Sequence, residues 1–334
     1  SLTTMLSGYV ATFLQLATGR VGLGVAEAAT APASASILSD LFPRQRRTVP
    51  LALLGVAAPV GAMLAFMIGG MLNTSIGWRM TFVALGTPGL FLAVVMLLTV
   101  REPRRGASDA DPAPVTSYHL STTIRYLWSF RSLRLLAAGA SLNLFATSAK
   151  LAWSAPFLIR VHNLNTGEAG AWLGITTGVG GIAGILLGGL ITQRLARTDA
   201  AWMLRAPALT SALAVPFVVL FLTLPAASAP LMNLGASFFG ASMTGSVLAV
   251  TQTLAKVRMR ALATALVSLL VNLIGAGLGP LAVGVSSDLL TPFWGPSSIR
   301  FAVLIPAVTA MLGAAFCFNQ GARHLASDFE RARG

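Results

Sequence analysis

The chain has 334 residues, of which 55% are hydrophobic and 10% charged, with a formal net charge of +13 at pH 7 and a mean hydropathy of +0.77. A water-soluble domain needs far more polar surface than this to stay dissolved, which excludes a soluble enzyme or binding module. The basic surplus does not indicate nucleic acid, because the cations stand singly or in threes between apolar runs, without an aromatic-basic stripe or a nucleic-acid motif.

In chain order, Ser1–Val10 reads as the tail of a helix, and nine segments after it are long and apolar enough, over a window of roughly 19 residues, to cross a bilayer. The first, Thr12–Leu38, contains Arg20 and Glu27, seven residues apart. That spacing is close to two helical turns, about 10.5 Å of rise, so both groups lie on one face. An ionisable pair inside a span must look into a polar cavity or toward partners on other helices. It is either a structural tie between helices or a site where a carboxylate beside an arginine changes protonation or meets substrate. Leu51–Leu72 follows, crowded with Gly55, Pro59, Gly61, Gly69 and Gly70, and then Phe82–Val100.

The connection Arg101–Arg131 is the longest. It opens on the helix stop Arg101-Glu102-Pro103, continues through a Ser/Asp/Pro-rich stretch, and ends with Leu120, Ile124, Leu127 and Trp128 at helical spacing, which predicts an amphipathic helix on the inner surface. Leu133–Ile159 carries Lys150 beside Trp153 and Pro156, either a lysine snorkelling to the outer interface or one lining a cavity. Trp172–Leu190 has overlapping small-residue ladders at Gly174, Gly178, Gly180, Gly184 and Gly188. Leu204–Leu222 and Leu231–Leu254 come next, and Ala261–Leu290 then brings Asn272, Gly275, Gly279 with Pro280, and Asp288 at its end. Phe301–Phe318 is the last span. Small faces let backbones approach closely, so Gly61, Gly70, Gly184, Gly188, Gly279 and Pro280 are packing positions and, in a rocking protein, candidate gating surfaces. Asn272 either bonds a neighbouring helix or, with Trp153 and Lys150, lines the path; Asp288 reads as a helix-end residue.

Cys317 is the single cysteine, and His119, His162 and His324 fall outside the apolar runs without ligand spacing, so no metal and no cofactor is expected. The runs are too long for strands and lack period-two alternation. Phosphate loops, His-Glu-x-x-His and Gly-x-Ser-x-Gly are missing, and no soluble ATPase domain fits. The chain is therefore not read as an enzyme. Secondary transport is the leading expectation, with a channel or a non-transporting membrane receptor as the reading from another class.

Two halves are faintly related. A basic cluster ending at Arg47 leads into a Gly-rich span and then Trp78-Arg79; Arg258 and Arg260 likewise lead into a Gly-rich span and then Arg300. The stretch Arg20-Val21-Gly22-Leu23-Gly24-Val25-Ala26-Glu27-Ala28 with Pro32 and Ser39-Asp40-Leu41-Phe42-Pro43 resembles the fourth helix of the spinster-like branch of the major facilitator superfamily. Gly77-Trp78-Arg79 through Arg101-Glu102-Pro103 resembles that branch's sixth helix, and Arg258-Met259-Arg260 through Asn272, Gly275, Gly279-Pro280, Gly284 and Ser287-Asp288 its eleventh.

The resemblance implies an all-α membrane protein with two pseudo-symmetric six-helix bundles and alternating access. On that frame, residues 1–100 are a partial N-terminal bundle (the tail of helix 3 and helices 4–6), 101–131 a cytoplasmic loop with its amphipathic helix, 132–320 the C-terminal six-helix bundle, and 321–334 a cytoplasmic tail. Three further helices are expected ahead of Ser1. Spinster-like proteins export lysophospholipids or sphingoid lipids with proton coupling, which implies Glu27 as proton carrier and Arg20 as its counter-charge. The cytoplasmic loop motif departs from the family's at Gly188-Gly189-Leu190-Ile191-Thr192-Gln193-Arg194-Leu195, where Gln193 replaces an acid and weakens any latch made by Gly189, Gln193 and Arg194. The expected protein is a monomeric symporter or antiporter in the bilayer, its partners protons and a small amphipathic, lysolipid-like solute. An organic-anion or drug facilitator of another branch is the alternative.

Loop charge orients the spans. Alternate connections carry 18 of the arginines and lysines, whereas the intervening ones hold only Arg79, Arg160 and Arg300. Cation-rich loops stay inside, which predicts a multi-pass inner (plasma) membrane protein with a cytoplasmic C-terminus. In a Cys317→Ser background, cysteines at Ser108 and Ser327 should resist an impermeant thiol reagent outside intact cells, and one at Ala227 should label; the opposite pattern would invert the topology.

Overall fold

A bilayer offers no water to the main chain, so each spanning segment must satisfy its own N–H and C=O groups, and a helix does this residue by residue. The computed structural model describes residues 1–42, 48–100, 120–256 and 259–333, several of those between 25 and 52 by backbone alone. The described elements are helices: α1 (Leu2–Leu6), α2 (Phe13–Leu41), α3 (Thr48–Thr99), α4 (Leu120–Trp128), α5 (Arg131–His162), α6 (Thr166–Ala196), α7 (Trp202–Thr223), α8 (Ala229–Ala241), α9 (Thr244–Leu254), α10 (Arg260–Val271), α11 (Leu278–Trp294) and α12 (Ser298–Arg333). Among the described residues, six stretches are long and apolar enough to cross a membrane, at 53–99, 131–162, 166–196, 202–223, 229–254 and 260–332. The first and last of these each contain a break, at Gly77 and at the 3-10 turn Gly295–Ser297.

Contacts divide the chain into two units. The first comprises Ser1–Val115 with Asn165–Ala171. Helix α2 starts at a capping box, in which the Thr12 side chain accepts from the Gln15 N–H and the Gln15 side chain accepts from the Thr12 N–H. The short α1 lies against glycines on both neighbours. A Cβ at Gly86 of α3 would sit 2.7 Å from the Met5 nitrogen, and Gly19 and Gly22 of α2 approach Ser7 and Thr3 at 3.6 and 3.7 Å. Helix α3 is two limbs, because Gly77 at φ 75°, ψ 165° turns the chain out of the helical conformation. A side chain there would clash with its own backbone, so only glycine accepts the bend cheaply. The second limb exposes Leu97 and Leu98 by more than 80%, as side chains solvated by acyl chains rather than by water would be.

The second unit comprises Thr116–Leu164 and Trp172–Gly334. Its core centres on α5 and α12, where Gly139 takes the Phe318 ring at 3.0 Å from its virtual Cβ. Phe157 and Phe221 pack edge to face with ring centroids 5.4 Å apart, and both are fully buried. The run read as one span over Leu231–Leu254 breaks between α8 and α9. The run over Ala261–Leu290 widens into a π-helix at Asn272–Gly277. Ser148 donates to the Gly275 carbonyl at 2.9 Å and Trp153 Nε1 to the Pro280 carbonyl at 2.9 Å, so α5 supplies donors to carbonyls in and just after the widened segment.

Two further features differ from the reading of the sequence. In α4 the face that packs is Thr123, Leu127 and the following Phe130, whereas Ile124 and Trp128 are exposed. Helix α12 also continues through Arg333 where a tail was expected. Its last turns are docked: Ala322 and Leu325 join Leu127, Phe130 and Leu133 in one buried cluster. The Asp328 carboxylate, fully buried, accepts from the Ser132 N–H at 2.8 Å and the Ser132 hydroxyl at 2.6 Å and pairs with Arg331. Residues 101–119, including His119 and the start of the long connection, lie outside the described residues.

Replacing Asp328 by Ala strands two buried donors at the start of α5. The expected loss is about 2–4 kcal/mol, read as a lower thermal midpoint in detergent, with Asp328→Asn losing less. An unchanged midpoint for Asp328→Ala would show that the helical extension is not anchored there.

Candidate functional site

Each candidate residue is best placed within its own unit. In the first, α2 runs unbroken through residues 20 and 27, so its backbone presents both positions on one side. The Arg20 guanidinium sits over the Phe82 ring of α3, 4.8 Å from its centroid, and the residue is otherwise exposed. A ring face fixes a guanidinium without consuming its N–H donors, which remain free to face a carboxylate or an anionic ligand. Only the backbone of Glu27 is described, and its side chain lies outside the described part of the chain. Gly70 is tightly placed, its virtual Cβ 2.6 Å from the Thr166 carbonyl at the start of α6, and Asn73 donates to the Thr166 hydroxyl at 3.1 Å. Gly61 meets nothing within 4 Å.

In the second unit, Lys150 is 3% exposed. Its ammonium donates to Asn233 Oδ1 of α8 at 2.5 Å and to the Ser237 hydroxyl at 3.2 Å. Asn233 in turn donates to the hydroxyls of Thr176 and Thr177 of α6, at 2.8 and 3.0 Å. The lysine therefore does not snorkel. Sequence reasoning placed Lys150 but missed these partners; the signal was Asn233 and Ser237, polar and four residues apart within an apolar run.

Asn272 is exposed and turns back on its own helix, donating to the Ser268 carbonyl at 2.8 Å. Trp153 is half-buried with its indole N–H committed to Pro280. Asp288, Gln193 and Arg194 are exposed, and Gly189 has open space where a side chain would go. Gly279 approaches the Phe145 carbonyl at 2.5 Å from its virtual Cβ. The ladder Gly180, Gly184 and Gly188 of α6 meets Leu234, Phe238 and Ser242 in register, turn against turn along α8 to its end. A Cβ at Gly184 would fall on the Phe238 carbonyl, and one at Gly188 would come within 2.6 Å of Ser242 Cβ. This is close backbone packing through small residues, and it fixes the spacing of the two helices that supply Asn233 and the threonines.

The arrangement offers cations and hydroxyls within apolar helices, and among the described residues no group of His, Cys, Asp and Glu could hold a metal ion. Ionisable groups held inside apolar helices are candidate positions on a solute or ion pathway. Comparison with known proteins agrees. The Major Facilitator Superfamily model matches residues 1–280. An MFS-type efflux pump of Mycolicibacterium smegmatis is 31% identical over 99% of this chain and 76% of its own length. Protein spinster homolog 1 of Xenopus tropicalis is 27% identical over 99% of this chain and 68% of its own. The crystal structure of a bacterial homolog of the human lysosomal transporter Spinster, inward-facing and unoccupied, shares the fold with a TM-score of 0.82 at 24% identity, covering 98% of this chain and 81% of that one.

Gly184→Ala should force the α6–α8 seam apart at an expected cost of about 1–3 kcal/mol, read as a lower thermal midpoint in detergent. Gly189→Ala, on the same helix with open space around it, should change the midpoint little. Equal effects from the two substitutions would remove the seam from the account.

Proposed function

The chain belongs to the major facilitator superfamily, whose members are secondary transporters and not enzymes, and on that premise we propose a proton-coupled transporter of a small amphipathic organic solute. Glu27 carries the proton, Arg20 is its counter-charge, and alternating access moves the solute. The observation that carries this reading is the unbroken α2, which places residues 20 and 27 two turns apart on one side while Phe82 steadies the arginine. A carboxylate in an apolar span needs an opposite charge to remain ionised, and losing that partner during a cycle favours its protonated form. Residues 1–100 are part of the N-terminal bundle and 132–320 are the C-terminal one, with 101–131 between them in the chain and the C-terminus on the cytoplasmic side of the inner membrane.

A lysolipid-like solute fits the resemblance to the spinster-like branch. Similarity to the efflux pump of M. smegmatis supports a second reading of the same site, export of a drug or organic anion held at Arg20. Both readings share the transport cycle and differ in cargo.

In the full-length protein, Glu27→Gln should abolish proton-driven accumulation in proteoliposomes while leaving substrate exchange largely intact. Accumulation at the wild-type level by Glu27→Gln would reduce the pair to a structural tie.

A further inference from the structure

Many hydroxyls in the long helices close on carbonyls of their own helix, as Thr147, Ser242, Thr251 and Thr309 do. The cluster around Lys150 is built differently, because its bonds run between α5, α6 and α8. Asn233 is fully buried, and both hydrogens of its amide go to threonine oxygens. Its Oδ1 is thereby fixed toward Lys150, with no freedom to flip. Both acceptors of the ammonium, an amide oxygen and a hydroxyl, are neutral. The salt bridges among the described residues are Arg205–Asp199 and Arg331–Asp328, and Lys150 takes part in neither.

A lysine ammonium has three donors, of which the described residues take up two, and no carboxylate among them pairs with its charge. As a packing residue it would be a poor choice, since an apolar side chain fills the same volume without desolvating a charge. The cluster is not sealed on every side: Asn233, Thr176 and Ser154 are buried, but Thr177 and Ser237 are only half-buried and form its edge. The glycine contact between Gly180 and Leu234 fixes α6 against α8 beside that edge.

We propose that Lys150, Asn233 and Ser237 form a subsite for an oxyanion, a phosphate or carboxylate group, whose charge and one acceptor oxygen complete the ammonium when the edge at Thr177 and Ser237 opens. The subsite deepens the transport reading above and rests on it: it gives the solute an anionic group and places recognition of that group in the second unit. An amphiphile's headgroup and a free anion carry the same chemistry, and the probes below separate them.

The test uses the full-length protein in nanodiscs and calorimetric binding of dodecyl phosphate, 1-O-dodecylglycerol and inorganic phosphate. Wild type should bind dodecyl phosphate at least about tenfold more tightly than dodecylglycerol, the scale of one charge-assisted hydrogen bond. Lys150→Met should erase that preference and keep dodecylglycerol binding, whereas Lys150→Arg should retain much of it. Asn233→Asp places a carboxylate beside the ammonium, neutralises the site from within, and should also erase the preference with the lysine still present. Inorganic phosphate competing as strongly as dodecyl phosphate would support the site with a free ion as its ligand, and no competition would support an amphiphile. Equal binding of the two dodecyl probes by wild type overturns the proposal. So does a preference retained in Lys150→Met, or in Asn233→Asp should the methionine variant fold poorly. Exchange by wild-type proteoliposomes is measured in parallel: exchange with no anion preference sinks the subsite alone, and a lysine-dependent preference without exchange sinks the transport reading alone.

Discussion

The peptide group governs this protein more than any side chain does. In acyl chains an unpaired N–H or C=O costs several kcal/mol, so the described chain is helical nearly throughout, and its departures from regular helix are places where a substitute partner is at hand. The widened turn at Asn272–Gly277 receives the Ser148 hydroxyl at the Gly275 carbonyl. The reversal at Gly77 is taken by a residue without a Cβ, and the Thr81 hydroxyl bonds the Gly77 carbonyl just beyond it at 2.8 Å. Once the backbone is satisfied internally, what remains to distinguish one arrangement of helices from another is how closely they can approach.

Apolar side chains cannot drive that choice in lipid, since the solvent is as apolar as they are. The close contacts in both units accordingly run through small residues. In the first, α1 rests on Gly86 of α3 and on Gly19 and Gly22 of α2; in the second, α6 meets α8 at Gly180, Gly184 and Gly188, and α11 meets α5 at Gly279. Dispersion between backbones replaces burial of large side chains as the local source of cohesion. A few committed polar contacts add direction to these seams. Asn143 donates to Ser211 between α5 and α7, and the Asp328–Ser132 pair ties the end of α12 to the start of α5. Such bonds have no water to compete with them, so one misplaced group is costly and the register of the helices is specified.

Charges inside the spans follow from the same accounting. Among the described side chains few are present, and two are compensated in part: Arg20 against the face of Phe82, Lys150 by the threonine-backed amide oxygen of Asn233 and the Ser237 hydroxyl. Partial compensation is the property a transporter needs. A fully paired ion is a structural element, and an unpaired one would unfold its surroundings, but a cation with one donor to spare can trade partners as a ligand or proton arrives.

The amino-acid sequence by itself determined the helical membrane class, the positions of the long apolar runs and the candidate charges Arg20, Glu27 and Lys150, because hydropathy over a window of residues and the rarity of charge in lipid are properties of composition along the chain. It also placed a connection between Leu72 and Phe82, with Trp78-Arg79 opening the next span, and a helix at Leu120–Trp128, both local signals, whereas the break at Gly77 itself came from the structure. Tertiary structure alone decided which glycines touch something: Gly184 lies under Phe238 and Gly189 under nothing, although they stand five residues apart on the same helix, since contact depends on what the neighbouring helix presents. It likewise decided that α12 continues to Arg333, because only the docking of Leu325 and Asp328 against α5 gives those turns a reason to stay helical. Lys150 shows the division most plainly. Its charge was legible from the sequence, but its burial and its bond to Asn233, 83 residues away, arise only when α5 and α8 meet across the fold.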